Sequence, residues 1–287
     1  ASGNQERSNG ALLEVGQGAW VFHADAFDRR SGDVKVPQQL QCSKPGSPEI
    51  SSRICNSASD GKGGAVGASL FLDRGYLGMS VNSYQSHYGT VAEDEVTIGM
   101  KSNRVALEGE WRPDMNLLQT LSFQASQTDY KHTEFEGEEA GTMFANKGHD
   151  VRFQLRHKPW RAGTGVWEGV WGWQSEQGKF SADGAEAFAP FSHTQTKAMF
   201  FIEEYAVGQL RFNFGLRQEA VTVESLGNPD PTVDRFELGV RKFSPQSFAA
   251  AAAWQVLPQW RVGANASHVQ RAPKDYELFA NGPHIAT

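Results

Sequence analysis

Long segments with a strict two-residue alternation of apolar and polar side chains recur along this chain, and they come in pairs joined by short turns. Trp20, Phe22, Ala24 and Ala26 share one phase, with His23 and Asp25 on the other. Leu117, Leu121, Phe123 and Ala125 oppose Ser122, Gln124, Ser126 and Thr128. Val151, Phe153 and Leu155 oppose Arg152, Gln154 and Arg156, and Leu210, Phe212, Phe214 and Leu216 oppose Arg211, Asn213, Arg217 and Glu219. This is the period of a strand with one apolar face, and no comparable 3.6-residue helical face exists. The pairs are 10–16 with 19–29, 64–72 with 76–86, 96–111 with 117–130, 150–158 with 166–175, 195–206 with 210–224, and 236–256 with 260–270. Their turns fall near residues 17, 74, 114, 162, 208 and 258. Longer polar stretches separate the pairs: 32–62, 87–95, an acidic loop at 131–148, 176–193, and 225–235 with Asn228-Pro229-Asp230-Pro231. The pattern predicts an all-β, antiparallel fold of roughly twelve strands.

A soluble sandwich shows the same alternation with its polar face in water. Segment length argues for a membrane instead. A tilted strand needs about 9–11 residues to cross the hydrocarbon, whereas globular strands average about five or six. Alternating short turns and long loops are the habit of outer-membrane barrels, whose periplasmic turns are short. Trp111, Trp160 and Trp260 lie near the short turns, where an interfacial aromatic belt would sit. The mean hydropathy of −0.50 and the lack of any long apolar run exclude a membrane-spanning helix, which says nothing against a barrel. The predicted lipid face carries Phe123, Phe153, Phe212 and Phe214, with Gln124, Arg152, Arg211 and Arg217 inward. Phe248–Trp254, with alanines at 249–253, reads as a strand with small side chains because its neighbours alternate, although alanine favours helix.

With 27 basic and 33 acidic residues, the net charge of −6 gives no basic field for nucleic acid. Cys42 and Cys55 lie close together in a polar loop and read as a disulfide, hence an oxidising compartment. The N-terminal ASGNQERSNG has no signal-peptide pattern, so the chain reads as a mature piece or fragment.

The segment from Arg271 to Thr287, RAPKDYELFANGPHIAT, resembles the R-x-P-x-x-x-E-L-F-A-x-G-P-H-x-A-T stretch of TonB-dependent outer-membrane receptors, most of all the branch that includes zinc receptors. Val21–Phe27, Gly63–Ser69, Tyr88–Val91 and Glu138–Asn146 are similar to barrel strands of that family. The resemblance implies part of a twenty-two-stranded transmembrane β-barrel in the outer membrane of a Gram-negative bacterium. Residues 1–287 would form one portion of the barrel domain, without the plug, its TonB box or the C-terminal strands. It also implies outer-membrane lipid and the TonB–ExbB–ExbD system, acting through the plug, as partners.

Enzyme motifs are absent: there is no nucleophile elbow, phosphate loop, HExxH or CxxC pair. No resident cofactor is implied. Metal binding is the sharper expectation, since imidazole and carboxylates suit zinc. His284, after Gly282-Pro283, is the leading candidate, with Glu95 or His87 as its partner from this chain. His23 and Asp25 share a face and could both aim at a lumen. His132 and His149 flank the acidic run Glu134–Glu139 and could form a weak capture site. The function expected is uptake of a metal ion or metal chelate, zinc favoured, with some ligands supplied by the plug. A ferric-siderophore, haem or cobalamin receptor, a passive porin-like barrel and a soluble carbohydrate-binding module stand as alternatives.

Overall fold

The computed structural model describes residues 3–184 and 187–282. In chain order the strands are β1 (Arg7–Gln17), β2 (Trp20–Ser31), β3 (Lys35–Gln41), β4 (Ile50–Arg53), β5 (Ser59–Leu72), β6 (Gly75–Gly89), β7 (Val96–Trp111), β8 (Leu118–Glu136), β9 (Glu139–His157), β10 (Trp160–Ala162), β11 (Gly165–Asp183), β12 (Phe191–Val207), β13 (Leu210–Gly227), β14 (Gly239–Phe243), β15 (Gln246–Leu257) and β16 (Trp260–His268). One short helix, α1 (Asp275–Phe279), follows. Twelve strands form a single antiparallel meander, β1-β2-β5-β6-β7-β8-β9-β11-β12-β13-β15-β16. The short β10 adds to β11 and β14 to β13, while β3 and β4 form a separate hairpin. The sheet is open, with β1 and β16 at its edges.

Every expected short turn is present. Gly18 (φ 60°) and Gly208 (φ 57°) take the left-handed conformation that a tight hairpin turn requires and that a side chain would disfavour.

The alternation survives across the whole sheet. Trp20, Leu70, Leu77, Gly109, Phe123, Phe153, Trp173 and Met199 are successive registered partners, so one row of one face is apolar across eight strands. Glu108, Gln124, Arg152, Gln174, Ala198 and Glu219 form a row of the other face. Phe212 and Phe214 fall on the apolar face opposite Tyr205 and Glu203, and Arg211 and Arg217 on the polar face with Arg152, as expected. The Arg152 and Arg217 guanidiniums both lie over the Phe200 ring, 4.7 and 5.9 Å from its centroid. Met79, Phe214 and Phe248 on the apolar face are 53%, 44% and 55% exposed, part of an apolar band far larger than a soluble monomer presents.

Glu203 interrupts that band and is fully partnered. It reaches over Gly169, its register partner, to His157 in the next strand, with Oε2 to Nε2 at 3.1 Å. Trp171 Nε1 donates to its other oxygen at 2.6 Å, and Trp160 stacks on the His157 ring at 4.5 Å.

Three sequence expectations are corrected. The acidic loop at 131–148 is strand: β8 and β9 stay paired up to Glu136 and Glu139, leaving a two-residue turn. Residues 176–193 are also mostly strand, with β11 continuing to Asp183 and β12 starting at Phe191. Beyond the apolar band both faces are wet, so the backbone ladder continues although the hydrophobic pattern has ended. Third, the segment 236–256 is split at Pro245, which has no N–H to give. β14 and β15 nevertheless hold one register along β13, Val221 opposite Phe243 and Gln218 opposite Gln246. The alanine tract is strand, as read.

Cys42 and Cys55 are bridged, with Cα atoms 5.4 Å apart. The bridge staples the β3–β4 hairpin, which is clasped to the β6–β7 turn by buried Asn56. Its Nδ2 donates to the carbonyls of Thr90, Glu93 and Val96, and Lys44 Nζ donates to its Oδ1 at 2.8 Å.

Candidate functional site

The buried contacts cluster on the polar face, at the end of the sheet away from the short turns. Phe144, Ala182 and Ala187 pack with Phe180 and Phe188, and Val221 and Val223 pack with Phe279 of α1. The second cluster folds the segment after β16 back across the strands as a strap. Arg271 donates two hydrogen bonds to Glu277, at 2.6 and 2.7 Å, and the Lys274 backbone N–H donates to the same carboxylate at 2.7 Å. These donors hold the Glu277 carboxyl down to about 2, from an ordinary 4.5. The Arg241 guanidinium lies over Phe279, and Asn281 bonds the carbonyls of Phe188 and Arg235.

Between strap and sheet lies a cavity of about 810 Å³. Its floor is built by register. Ser126, Asp150, Glu176 and Thr196 are successive partners in β8, β9, β11 and β12. The neighbouring row is Thr128, Gly148, Gly178 and Thr194, whose glycines leave the space open. Gln174 stands between the two carboxylates and donates to both Asp150 and Glu176. Phe144, Phe180 and Phe188 form an aromatic wall, with the His132 ring stacked 4.7 Å from Phe144. The strap supplies Lys274, Asp275 and Tyr276, with Asp275 accepting a hydrogen bond from buried Ser192. The cavity thus offers three carboxylates and one ammonium, together with hydroxyls and a π surface.

His23 and Asp25 meet on the polar face as the spacing implied, Nε2 to Oδ1 at 2.9 Å, and Glu14 approaches the other ring nitrogen at 3.3 Å. His87 falls in the other phase, beyond the apolar band, in register with Gly99 and 3.9 Å from Asp60. It faces away from the cavity because strand parity, which sequence proximity to the acidic run hid, decides its side. Glu95 is exposed in the turn before β7, where its carbonyl accepts the Gly137 N–H. His284 lies outside the described residues. Among the described residues one convergent group of potential metal ligands exists, Cys42, Cys55 and Asp94, but its sulfurs are joined to each other. The polar character of 176–193 hides the Asp150–Glu176 pair in the sequence; extending the strand pair about its turn sets Glu176 opposite Asp150.

A twelve-strand meander with a lipid-compatible face, a polar face and alternating short and long connections defines a membrane β-barrel segment. Residues 55–287 match the family described as TonB dependent receptor-like, beta-barrel, and the chain belongs to that family. Its members are outer-membrane β-barrel transporters of Gram-negative bacteria, not enzymes. The fold is similar to the hemophore receptor HasR of Serratia marcescens, solved with its hemophore HasA and heme (TM-score 0.74, 14% identity, 98% of this chain and 46% of that one). It is also similar to the FrpB iron transporter of Neisseria meningitidis (0.73, 11%, 96% and 45%) and the copper transporter OprC (0.67, 12%, 96% and 46%). The chain therefore spans just under half the length of each. The apolar face is the lipid face and the polar face lines the lumen.

Proposed function

We propose that this chain is the part of a TonB-dependent receptor barrel that receives a metal ion or metal chelate from outside, with zinc as the favoured cargo. The observation that carries this reading is the cavity on the lumen face, roofed by the strap and lined with carboxylates, hydroxyls and aromatic rings. Such convergence of a few polar groups in a concave, partly apolar site is what a ligand site requires. On this reading the plug and the remaining strands belong to the same protein, and the TonB–ExbB–ExbD system drives release through the plug. His284 is the proposed zinc ligand, joined by plug groups; imidazole and carboxylate donors suit that ion. The His23–Asp25 pair, with Glu14, is a lesser lumenal group of the same chemistry. The names of the similar structures, which speak of copper, iron and heme, support a chelate or haem as the competing cargo.

The test is calorimetric titration of the full-length receptor with zinc, a ferric chelate and haem. Zinc affinity lowered at least about tenfold by His284→Ala, and by Asp150→Asn with Glu176→Gln, is the expected result. Unchanged zinc affinity in both variants, with normal growth on limiting zinc, would remove zinc as cargo.

A further inference from the structure

Tracing the alternation beyond the apolar band exposes a second surface, on the lipid-facing side. There Lys62 of β5, Gln85 of β6, Lys101 of β7 and Lys131 of β8 are successive registered partners. Three ammonium groups thus stand in one row, although the chain as a whole is acidic. Lys101 and Lys131 are directly opposite; one pair of strands further on Lys147 and Lys179 are also directly opposite, but there Asp129 lies 3.8 Å from the Lys147 ammonium. Like charges in registered cross-strand positions are unfavourable unless something neutralises them. Among the described residues no carboxylate lies within ion-pair distance of Lys62, Lys101 or Lys131. Asp60, the nearest acid in the row above, is turned to His87.

The row borders a depression of about 380 Å³. Gly99 contributes no side chain to it, and the Asp60 carboxylate lines it together with His87, Gln85 and Thr133. Its height on the barrel identifies the occupant. On the same face the next row toward the short turns is Gly64, Ser83, Asn103 and Asp129, and the row after it brings Val66, Val81 and Val105 of the apolar band, beside Gln127 of β8. The lysines therefore stand one polar row beyond the apolar band, at the level of the outer-leaflet headgroups. Lysines at that level attract anionic headgroups, and the compact ammonium is a good phosphate partner.

We propose that the Lys62–Lys101–Lys131 depression binds the phosphate of an outer-leaflet lipid headgroup, and that His87 serves this outward site. The proposal rests on the outer-membrane setting and is independent of the cargo.

The experiment is native mass spectrometry of the full-length protein in detergent, titrated with phosphatidic acid, phosphatidylcholine and inorganic phosphate. Wild type should bind phosphatidic acid at least about tenfold tighter than phosphatidylcholine, and Lys62→Gln/Lys101→Gln/Lys131→Gln should remove that preference while the triple arginine variant keeps it. Inorganic phosphate at the same concentration should leave the lipid bound. A triple glutamine variant that retains the preference overturns the proposal, as does displacement of the lipid by equimolar inorganic phosphate, which would mean a free-phosphate site. If the triple variant loses its strand signal in circular dichroism, Lys101→Gln alone is read the same way, with a loss of about threefold expected and none overturning the proposal.

Discussion

Glu203 shows how a single glycine can make a charge tolerable on a lipid-facing strand. The carboxylate crosses β11 at Gly169, where a methyl group would overlap it. His157 lies between two acceptors, the Lys158 carbonyl 2.9 Å from Nδ1 and the Glu203 carboxylate 3.1 Å from Nε2. Both side chains are nearly enclosed, 6% and 13% exposed, so removing one partner strands the other in a low-dielectric setting. Glu203→Ala should cost about 3 kcal/mol, and Gly169→Val a similar amount by displacing the carboxylate. Urea unfolding of the lipid-reconstituted protein measures both, and wild-type stability in either variant would contradict the account. A second residue-scale prediction concerns Glu277. Its folded value lies below the ordinary one, so the Arg271–Glu277 link contributes in full above pH 4.5 and is lost as the pH falls toward about 2. Protection factors of the 271–282 amides, referred to their unfolded rates at each pH, should be flat from neutral pH down to about pH 5 and fall below it, whereas Glu277→Gln should show the lowered protection already at neutral pH. A profile identical in the two proteins would dissociate the strap from this pair.

At the scale of elements, the β3–β4 hairpin is the piece with least sheet behind it, and it is held by covalent and polar ties. The Cys42–Cys55 bridge spans a sequence separation of 13. In the chain-entropy model a ring of that size is worth about 3 kcal/mol to the loop. Cys42→Ser with Cys55→Ser should raise exchange of the 33–58 amides by about a hundredfold while leaving the β7–β9 amides protected, as expected for local rather than global opening. Asn56→Ala should loosen the same amides and those of 90–96, because three carbonyls lose their donor. Equal protection in both variants would mean that the hairpin is held by other contacts. The cysteine pair could be read from its spacing in a polar loop; the Asn56 clasp could not, since nothing in an isolated asparagine reveals which distant carbonyls it will meet. Likewise β8, β9, β11 and β12 run past their alternating apolar pattern, because strands follow hydrogen bonds and not hydrophobicity.

For the molecule as a whole, the prediction is directional. Trp171 and Trp173 share the lipid face with Phe153, so brominated acyl chains should quench their fluorescence. Phe153→Arg at the middle of that face should cost about 2–4 kcal/mol, whereas Gln124→Arg on the lumen face should be nearly neutral. Equal costs at the two positions would refute the assignment of faces.

The all-β class, the antiparallel pairing, the six short turns and the identity of the two faces follow from the sequence alone. Each depends on local alternation and turn chemistry, which one strand pair suffices to express. The cavity, the Glu203–Gly169–His157 row and the basic depression depend on register summed over several strands. A one-residue slip anywhere would exchange the faces and dissolve all three. That is why His87, plausible as a lumenal ligand by composition, points to the lipid side, and why Asp150 and Glu176, unremarked in separate segments, stand together over the lumen.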